Sequence, residues 1–431
     1  MVAGIRADTL LAWRNLWRRR TRTAVTGSAI ALSLALQFFS YGTADYSYEK
    51  MEQAAVRTAG GAVLVHARGY WKAQTAEYTM ESVSSVVASL GALDHVENTI
   101  QKVVVTGLLS APRGNRGTQI IGVNPEQEKP LNDWSRFISA GTFLSSPLVG
   151  EGRNARPPIV VGTSIANDLK LKLGSKLKVT CTSPSGEVSN ALFRLGGILD
   201  TGSKALDESA AYVRLKDAQE MFGFGDRITQ IGVLVDDPRH RHQVRAAIRR
   251  TLADRLDSKS DNPLEVLVWD EAIPEMKTLI ELDRKNGEAV GYLVFLVVAF
   301  GIANTMLMSV LERVREFGLL SALGLGPARI ARLVILESVA LGAIFIALGV
   351  GLGLLIHWSV STWGLDFSES MGGGLEMSGV ILEDMVFYSK LVWSRWLTAA
   401  SAIFVLIIIS ASYPAWKATR QDPATAMRDF G

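Results

Sequence analysis

The sequence predicts a membrane α-helical bundle with four transmembrane helices and a large mixed α/β extracytoplasmic domain between helices 1 and 2. Three observations predict it. Apolar residues make up 48% of the 431-residue chain and concentrate near 24–41, 289–311, 333–357 and 397–416, stretches long enough to cross a bilayer as helices. Basic residues crowd beside those stretches. The long segment after the first stretch alternates polar and apolar residues between turn signals, as soluble α/β structure does. A net charge of only +3 lacks the strongly basic character of a nucleic-acid binder, so no nucleic-acid partner is expected. Cys181 is the only cysteine. It excludes an internal disulfide and any zinc site built from several cysteines, and reads as a small strand residue.

In chain order, residues 1–22 are expected as a cytoplasmic amphipathic helix, LAWRNLWRRRTRT, ending in a basic run. Transmembrane helix 1 takes 23–41, about 28 Å of helix for a hydrocarbon layer of about 30 Å. The Arg-rich head also fits a signal peptide, but no small-residue cleavage site follows, so the span reads as uncleaved. Residues 42–288 form the extracytoplasmic domain. Helix is expected to continue through TADYSYEKMEQAAVRTAG and stop at Gly60 and Gly61. Strands are expected in GAVLVHARGYW, KVVVTGLLS, TQIIGVNP, SKLKVTCTS, NALFRLGGILDTG, RITQIGVLVDD and LEVLVWDEAIP. Helices are expected over 77–93, after the strand and turn of PPIVVGTSIANDLKL, and from Pro238 onward. The pattern suggests two subdomains.

Transmembrane helix 2, 289–311, carries no charge. Gly291, Gly301 and Ala303 suit close helix contacts; Asn304 and Thr305 can hydrogen-bond across helices or to local backbone. A cytoplasmic coupling region follows at 312–332. Transmembrane helix 3, 333–357, has a small-residue stripe of Gly342, Gly349, Gly351 and Gly353. Its Glu337 is placed to snorkel, pair with Arg332 or sit inside the bundle. A short outer loop, 358–396, leads to transmembrane helix 4, 397–416, bracketed by Trp393, Trp396, Tyr413 and Trp416. The tail is 417–431. Arg14, Arg18, Arg19, Arg20 and Arg22 precede helix 1, Arg313, Arg315, Arg329 and Arg332 separate helices 2 and 3, and Lys417, Arg420 and Arg428 follow helix 4. The positive-inside rule places all three groups, and so both termini, in the cytoplasm of a multi-pass protein.

No reactive constellation stands out, so no catalytic, cofactor-binding or metal residue is assigned, and the chain is not expected to be an enzyme. There is no GxxxxGK[ST] phosphate loop, and GLGPAR at 324–329 lacks the necessary lysine and hydroxyl. HExxH and GxSxG are absent. DTGS at 200–203 is superficially similar to an aspartic-protease loop, without a second loop to pair with it. His240 and His242, within PRHRHQ, read as a solvated basic face. Asp236 and Asp237 read as the turn before the helix.

The informative polar segment is LERVREFGLLSALGLGPARIARL. It suggests short amphipathic helices broken at 324–327, with charges at the membrane surface where another protein could grip them. It resembles the loop between the second and third spans of the four-helix ABC transporter permeases, which include lipoprotein-releasing, macrolide-exporter and cell-division types. The E-R-x-R-E-[IF]-G-x-x-x-A-x-G core is matched by Glu312, Arg313, Arg315, Glu316, Phe317, Gly318, Ala322 and Gly324. The ending P-A-x-x-A-x-x-x-x-P-x-x-A-[LM]-R is matched by Pro414, Ala415, Ala418, Pro423, Ala426, Met427 and Arg428. IIGVNPEQE, IVVGTSIANDLKLKLGSKLKV and LGGILDTGSKALDESAAYVRLKDAQEMFG resemble pieces of the family's outer domain, the last that of lipoprotein-releasing permeases. Ser175 stands where the family commonly has aspartate.

The resemblance implies a permease subunit in a bacterial inner membrane that transmits force from a separate cytoplasmic ABC ATPase dimer. The eight matched residues, 312–324, would couple the two. ATP and magnesium would sit on that ATPase, with no cofactor in this chain. A second copy of this chain or a related permease would complete the membrane core. The resemblance favours extraction of lipoproteins from membrane lipid and transfer to a periplasmic acceptor. Export of another substrate, or regulation of cell-envelope enzymes without transport, remain open alternatives. Substrate contacts are not assigned.

Overall fold

A computed structural model of the chain describes residues 13–14, 18, 20–81, 83–202, 204–257, 262–322, 324–366, 375–377, 380–382 and 386–420. Most of the expected helix 1–22 lies outside the described residues, as do Pro423, Ala426, Met427 and Arg428. The principal helices are α1 (Arg20–Ala59), α2 (Val83–Gly91), α3 (Leu215–Met221), α4 (Arg241–Thr251), α5 (Pro274–Glu312), α6 (Val314–Ala322), α7 (Pro327–Trp363) and α8 (Trp393–Thr419). The chain divides into two compact units. One holds residues 1–49, 280–367 and 386–431, and the other 50–279 and 368–385.

The first unit contains the apolar parts of α1, α5, α7 and α8, all four long and apolar enough to cross a membrane. Each helix overruns the apolar stretch that announced it. Hydropathy marks the portion suited to lipid, but the i→i−4 ladder continues through polar flanks. α7 begins with Pro327 at its first position, where no backbone N–H is missed, and α5 likewise begins at Pro274.

Packing in this unit depends on small residues, because lipid gives apolar helices no hydrophobic reason to associate. An added Cβ at Gly349 would lie 2.9 Å from the Ala31 carbonyl oxygen, and one at Gly353 would lie 2.6 Å from the Phe38 ring. Gly342 faces Ile407 of α8 in the same way. Gly351 does not belong to this stripe; it faces open space. On α5, Gly291 lies against Gln37, whereas an added Cβ at Gly301 would meet nothing within 4 Å among the described residues. Thr305 uses both expected options: it bonds its own helix at the Gly301 carbonyl, 2.8 Å, and meets Thr26 of α1 at 3.1 Å. Phe38 stacks on Trp396 at a centroid distance of 4.1 Å, within a core that includes Ile30, Leu34, Ile302, Ile403 and Ile407. At one end of the bundle Arg395 pairs with Asp45 and covers the Tyr41 ring at 4.8 Å.

The second unit is built on a sheet. Its strands are β1 (Val63–Ala67), β2 (Val96–Ala111), β3 (Gly114–Val123), β4 (Ile138–Gly141), β5 (Pro158–Gly162), β6 (Lys176–Thr182), β7 (Val188–Leu199), β8 (Ala210–Arg214), β9 (Gln230–Val235) and β10 (Leu264–Val268). All ten join one sheet in the order β10-β1-β9-β2-β3-β8-β5-β7-β4, with β6 pairing β2 and β7. Most pairs are antiparallel; β3–β8 and β5–β7 are parallel. β1, β5 and β9 are buried almost throughout, matching their continuous Val/Ile/Leu character. α2 offers Val83, Val86 and Leu90 to the core, and α4 offers Val244 and Ile248. Gly60 ends α1 at φ +90. Its N–H bonds the Arg57 carbonyl at 3.2 Å while the Gly61 N–H reaches Val56 at 3.0 Å, a Schellman stop that favours glycine.

Candidate functional site: the knuckle at Arg313

α5 ends at Glu312 and α6 begins at Val314, so Arg313 sits at the break between them. The four-residue spacing of Glu312 and Glu316 therefore does not lie along one continuous helix. Arg313 forms the centre of the knuckle. Its Nε donates to Glu316 Oε2 at 2.9 Å, its Nη1 donates to Glu337 Oε2 on α7 at 2.8 Å, and its guanidinium covers the Phe317 ring at 5.1 Å. Arg18, before α1, pairs with the other oxygen of Glu316. Burial alone would raise the Glu316 carboxyl, but the hydrogen bonds and charges of Arg313 and Arg18 outweigh it and hold the group below its ordinary value. Of the options open to Glu337, it sits buried inside the bundle and takes Arg313 as a partner.

The eight residues singled out in the sequence divide by direction. Phe317 and Gly318 are buried. Phe317 anchors a small core with Val310, Ile330, Leu333, Val334 and Ala415. Arg313 and Glu316 form the polar layer over it. Glu312, Arg315, Ala322 and Gly324 are exposed. Arg315 and Ala322 share a face of α6 with Leu319, which is 59% exposed despite its apolar side chain. Leu319 is absent from the sequence-based set. The signal available for it was helical spacing, four residues after Arg315 and three before Ala322. α6 closes at Gly324, φ +88. The Gly324 N–H bonds Ser321 and the Leu325 N–H bonds Leu320, both at 3.0 Å, a second Schellman stop.

Two other sequence candidates, the DTGS loop and Cys181, fall into structural roles. In the DTGS loop, the Thr201 N–H and hydroxyl both donate to Asp207 Oδ1, at 3.1 and 2.9 Å. Asp207 is buried, which raises its carboxyl above the ordinary range, and it braces this loop. Cys181 lies buried in β6, with its thiol pushed up to about 12 by burial, as a strand residue and not a nucleophile. The second unit also holds a cavity of about 150 Å³ beside Lys102, Gln119, Trp134, Phe137 and Tyr212. That is below the roughly 300–1,000 Å³ of usual small-molecule sites.

Two family models match. The MacB-like periplasmic core domain covers residues 23–251, and the FtsX-like permease C-terminal model covers 289–423. The first alone spans more than half of the chain. The chain belongs to the MacB- and FtsX-like family of four-helix ABC transporter permeases, with a mixed α/β periplasmic domain after its first membrane helix. Among curated relatives, the lipoprotein-releasing system transmembrane protein LolC of Neisseria meningitidis is 23% identical over 73% of this chain and 73% of its own length. The pyoverdine export ATP-binding/permease protein PvdT of Pseudomonas entomophila is 27% identical over 96% of this chain, which spans only 58% of that relative. The macrolide export ATP-binding/permease protein MacB of Nitrobacter winogradskyi is 28% identical over 63% of this chain and 41% of its own length.

Proposed function

We propose that this chain is the permease subunit of an inner-membrane ABC transporter that extracts lipoproteins from the membrane and passes them to a periplasmic acceptor. The observation that carries the coupling part is the knuckle at Arg313. It joins an exposed, mixed apolar and charged face of α6 to the buried side of α7 through one guanidinium. A cytoplasmic ABC ATPase dimer, holding ATP and magnesium, would grip that face. Its closure would move the spans and, through them, the periplasmic domain. Both termini would lie in the cytoplasm. A second copy or a related permease would complete an eight-helix core open to membrane lipid. Similarity to LolC on both sides of the comparison supports lipoprotein as cargo. Acyl chains need an apolar cleft between helices, not a reactive group.

A second reading, export of a small molecule such as a siderophore, is favoured by alignment to PvdT over almost the whole chain. The test is co-reconstitution of the chain with a genomically adjacent ATPase in liposomes carrying a triacylated lipoprotein. ATP-dependent release to a soluble acceptor, lost with a hydrolysis-dead ATPase, supports lipoprotein extraction. Complex assembly and ATP turnover without release would reject that cargo and favour the second reading. In the same assay Glu316→Lys, which sets a cation against Arg18 and Arg313, should leave membrane insertion intact while uncoupling hydrolysis from release. Normal coupling in that variant would remove the knuckle from the mechanism.

A further inference from the structure

The periplasmic domain brings together three side chains that its sequence holds far apart. β2 and β9 run antiparallel with Val96 opposite Val235. The residue before β2, His95, therefore meets the residue after β9, Asp236. The Asp236 N–H bonds the His95 carbonyl at 3.3 Å. Pro238 then turns the chain, and Asp237 caps that turn by accepting from the Arg239 N–H at 2.8 Å. The turn returns His240 to the same carboxylate at the start of α4. His95 Nδ1 lies 2.9 Å from Asp236 Oδ2, and His240 Nδ1 lies 2.9 Å from Oδ1. The two imidazole rings are 3.8 Å apart, centre to centre. Nitrogen and oxygen ligands from all three residues fall within 4.8 Å of one another.

We propose that His95, Asp236 and His240 form a binding site for a divalent cation of the zinc type. Two imidazoles and one carboxylate are the donor set that zinc and its first-row neighbours prefer over magnesium or calcium. Ligands on a tetrahedral zinc stand about 3.3 Å apart, given bond lengths of about 2.0–2.1 Å. Each Nδ1 already stands 2.9 Å from one oxygen of the Asp236 carboxylate, and the three ligand atoms lie within 4.8 Å of one another, so side-chain rotation would draw a gathered donor set in to that spacing around the ion. His95 also sits at φ +66, a left-handed conformation uncommon for residues other than glycine, of the kind that clusters at functional sites. His242, only two residues beyond His240, is outside the cluster. The ion would clasp the joined ends of β2 and β9 to the first turn of α4, leaving a fourth position for water or another ligand.

The test uses the full chain in detergent, without a histidine tag, stripped of metal and titrated with Zn²⁺ against a chromogenic chelator. One equivalent of zinc per chain is expected. His95→Gln, Asp236→Asn and His240→Gln should each weaken binding at least tenfold, while His242→Gln and His357→Gln should not change it. Zinc should raise the melting temperature of the wild type but not of the three ligand variants, whose metal-free melting reports separately on folding. Wild-type binding no tighter than that of His95→Gln, or equal loss in His242→Gln, overturns the site.

Discussion

If the Arg313–Glu337 contact truly fastens α6 to the third span, its energy should appear as a coupling between the two residues. The contact is short, 2.8 Å, and its side chains are only 14% and 10% exposed. A charge-assisted hydrogen bond in such a setting contributes about 1.5–3 kcal/mol. Replacing Arg313 by methionine also removes its bond to Glu316, so that single variant should lose more, about 3–5 kcal/mol. Glu337→Met should lose less, because it leaves the Arg313–Glu316 bond in place. The double variant fills the volume with apolar groups and removes both charges of the pair. It should therefore be less destabilised than the sum of the singles by about 1.5–3 kcal/mol. The assay is unfolding of the detergent-solubilised full chain across mixed micelles of increasing denaturing detergent, followed by tryptophan fluorescence, for all four corners of the cycle. Additivity within about 0.5 kcal/mol would refute the reasoning, since independent sites behave that way.

Three further outcomes follow from the same geometry. Leu319→Asp replaces the exposed apolar centre of the α6 face, and pull-down of the partner ATPase should fall several-fold with the melting temperature unchanged. Gly324→Val forces a β-branched residue to φ +88, which should cost about 1–2 kcal/mol and lower the melting temperature of the membrane unit. His66 is fully buried, and burial pushes its imidazole below the usual histidine value. The unfolded chain then takes up a proton near pH 6.5 while the folded domain does not, so this contribution is complete above about pH 6.5 and is lost as pH falls toward the depressed folded value. Melting of the periplasmic domain should therefore drop between about pH 7.5 and about pH 5.5, and His66→Phe should flatten that slope.

The features legible in the sequence are those written locally. Gly60 and Gly324 announce helix stops because a left-handed residue is needed within one turn of the helix they end. The four spans are legible because lipid requires a continuous apolar run, and the polar extension of α1 to Ala59 is legible from Gly60, but the start of α5 at Pro274, well before its apolar stretch, is not. β8, AAYVR, escapes a pattern search because it is short and buried on both faces, and so shows no alternation. Its place between β3 and β5 is settled by partners from distant sequence.

The two polar constellations fail to show in the sequence for the same reason, with opposite consequences. Glu337 has Arg332 five residues away, but on a helix that spacing does not bring side chains face to face. The break at Arg313 instead delivers a guanidinium from 24 residues earlier. His240 and His242 look equivalent in PRHRHQ, and nothing local distinguishes them. Strand register does: His95 meets Asp236 from 141 residues away, and only His240 returns to that carboxylate. The eight-residue motif spans the break at Arg313 but is silent on what holds it, because a motif records residue types along the chain and the bonds run across it. The same logic explains why Leu319 was passed over. An apolar residue in an amphipathic segment is assigned to the buried face by default, and only the burial of Phe317 and Gly318 turns Leu319 outward.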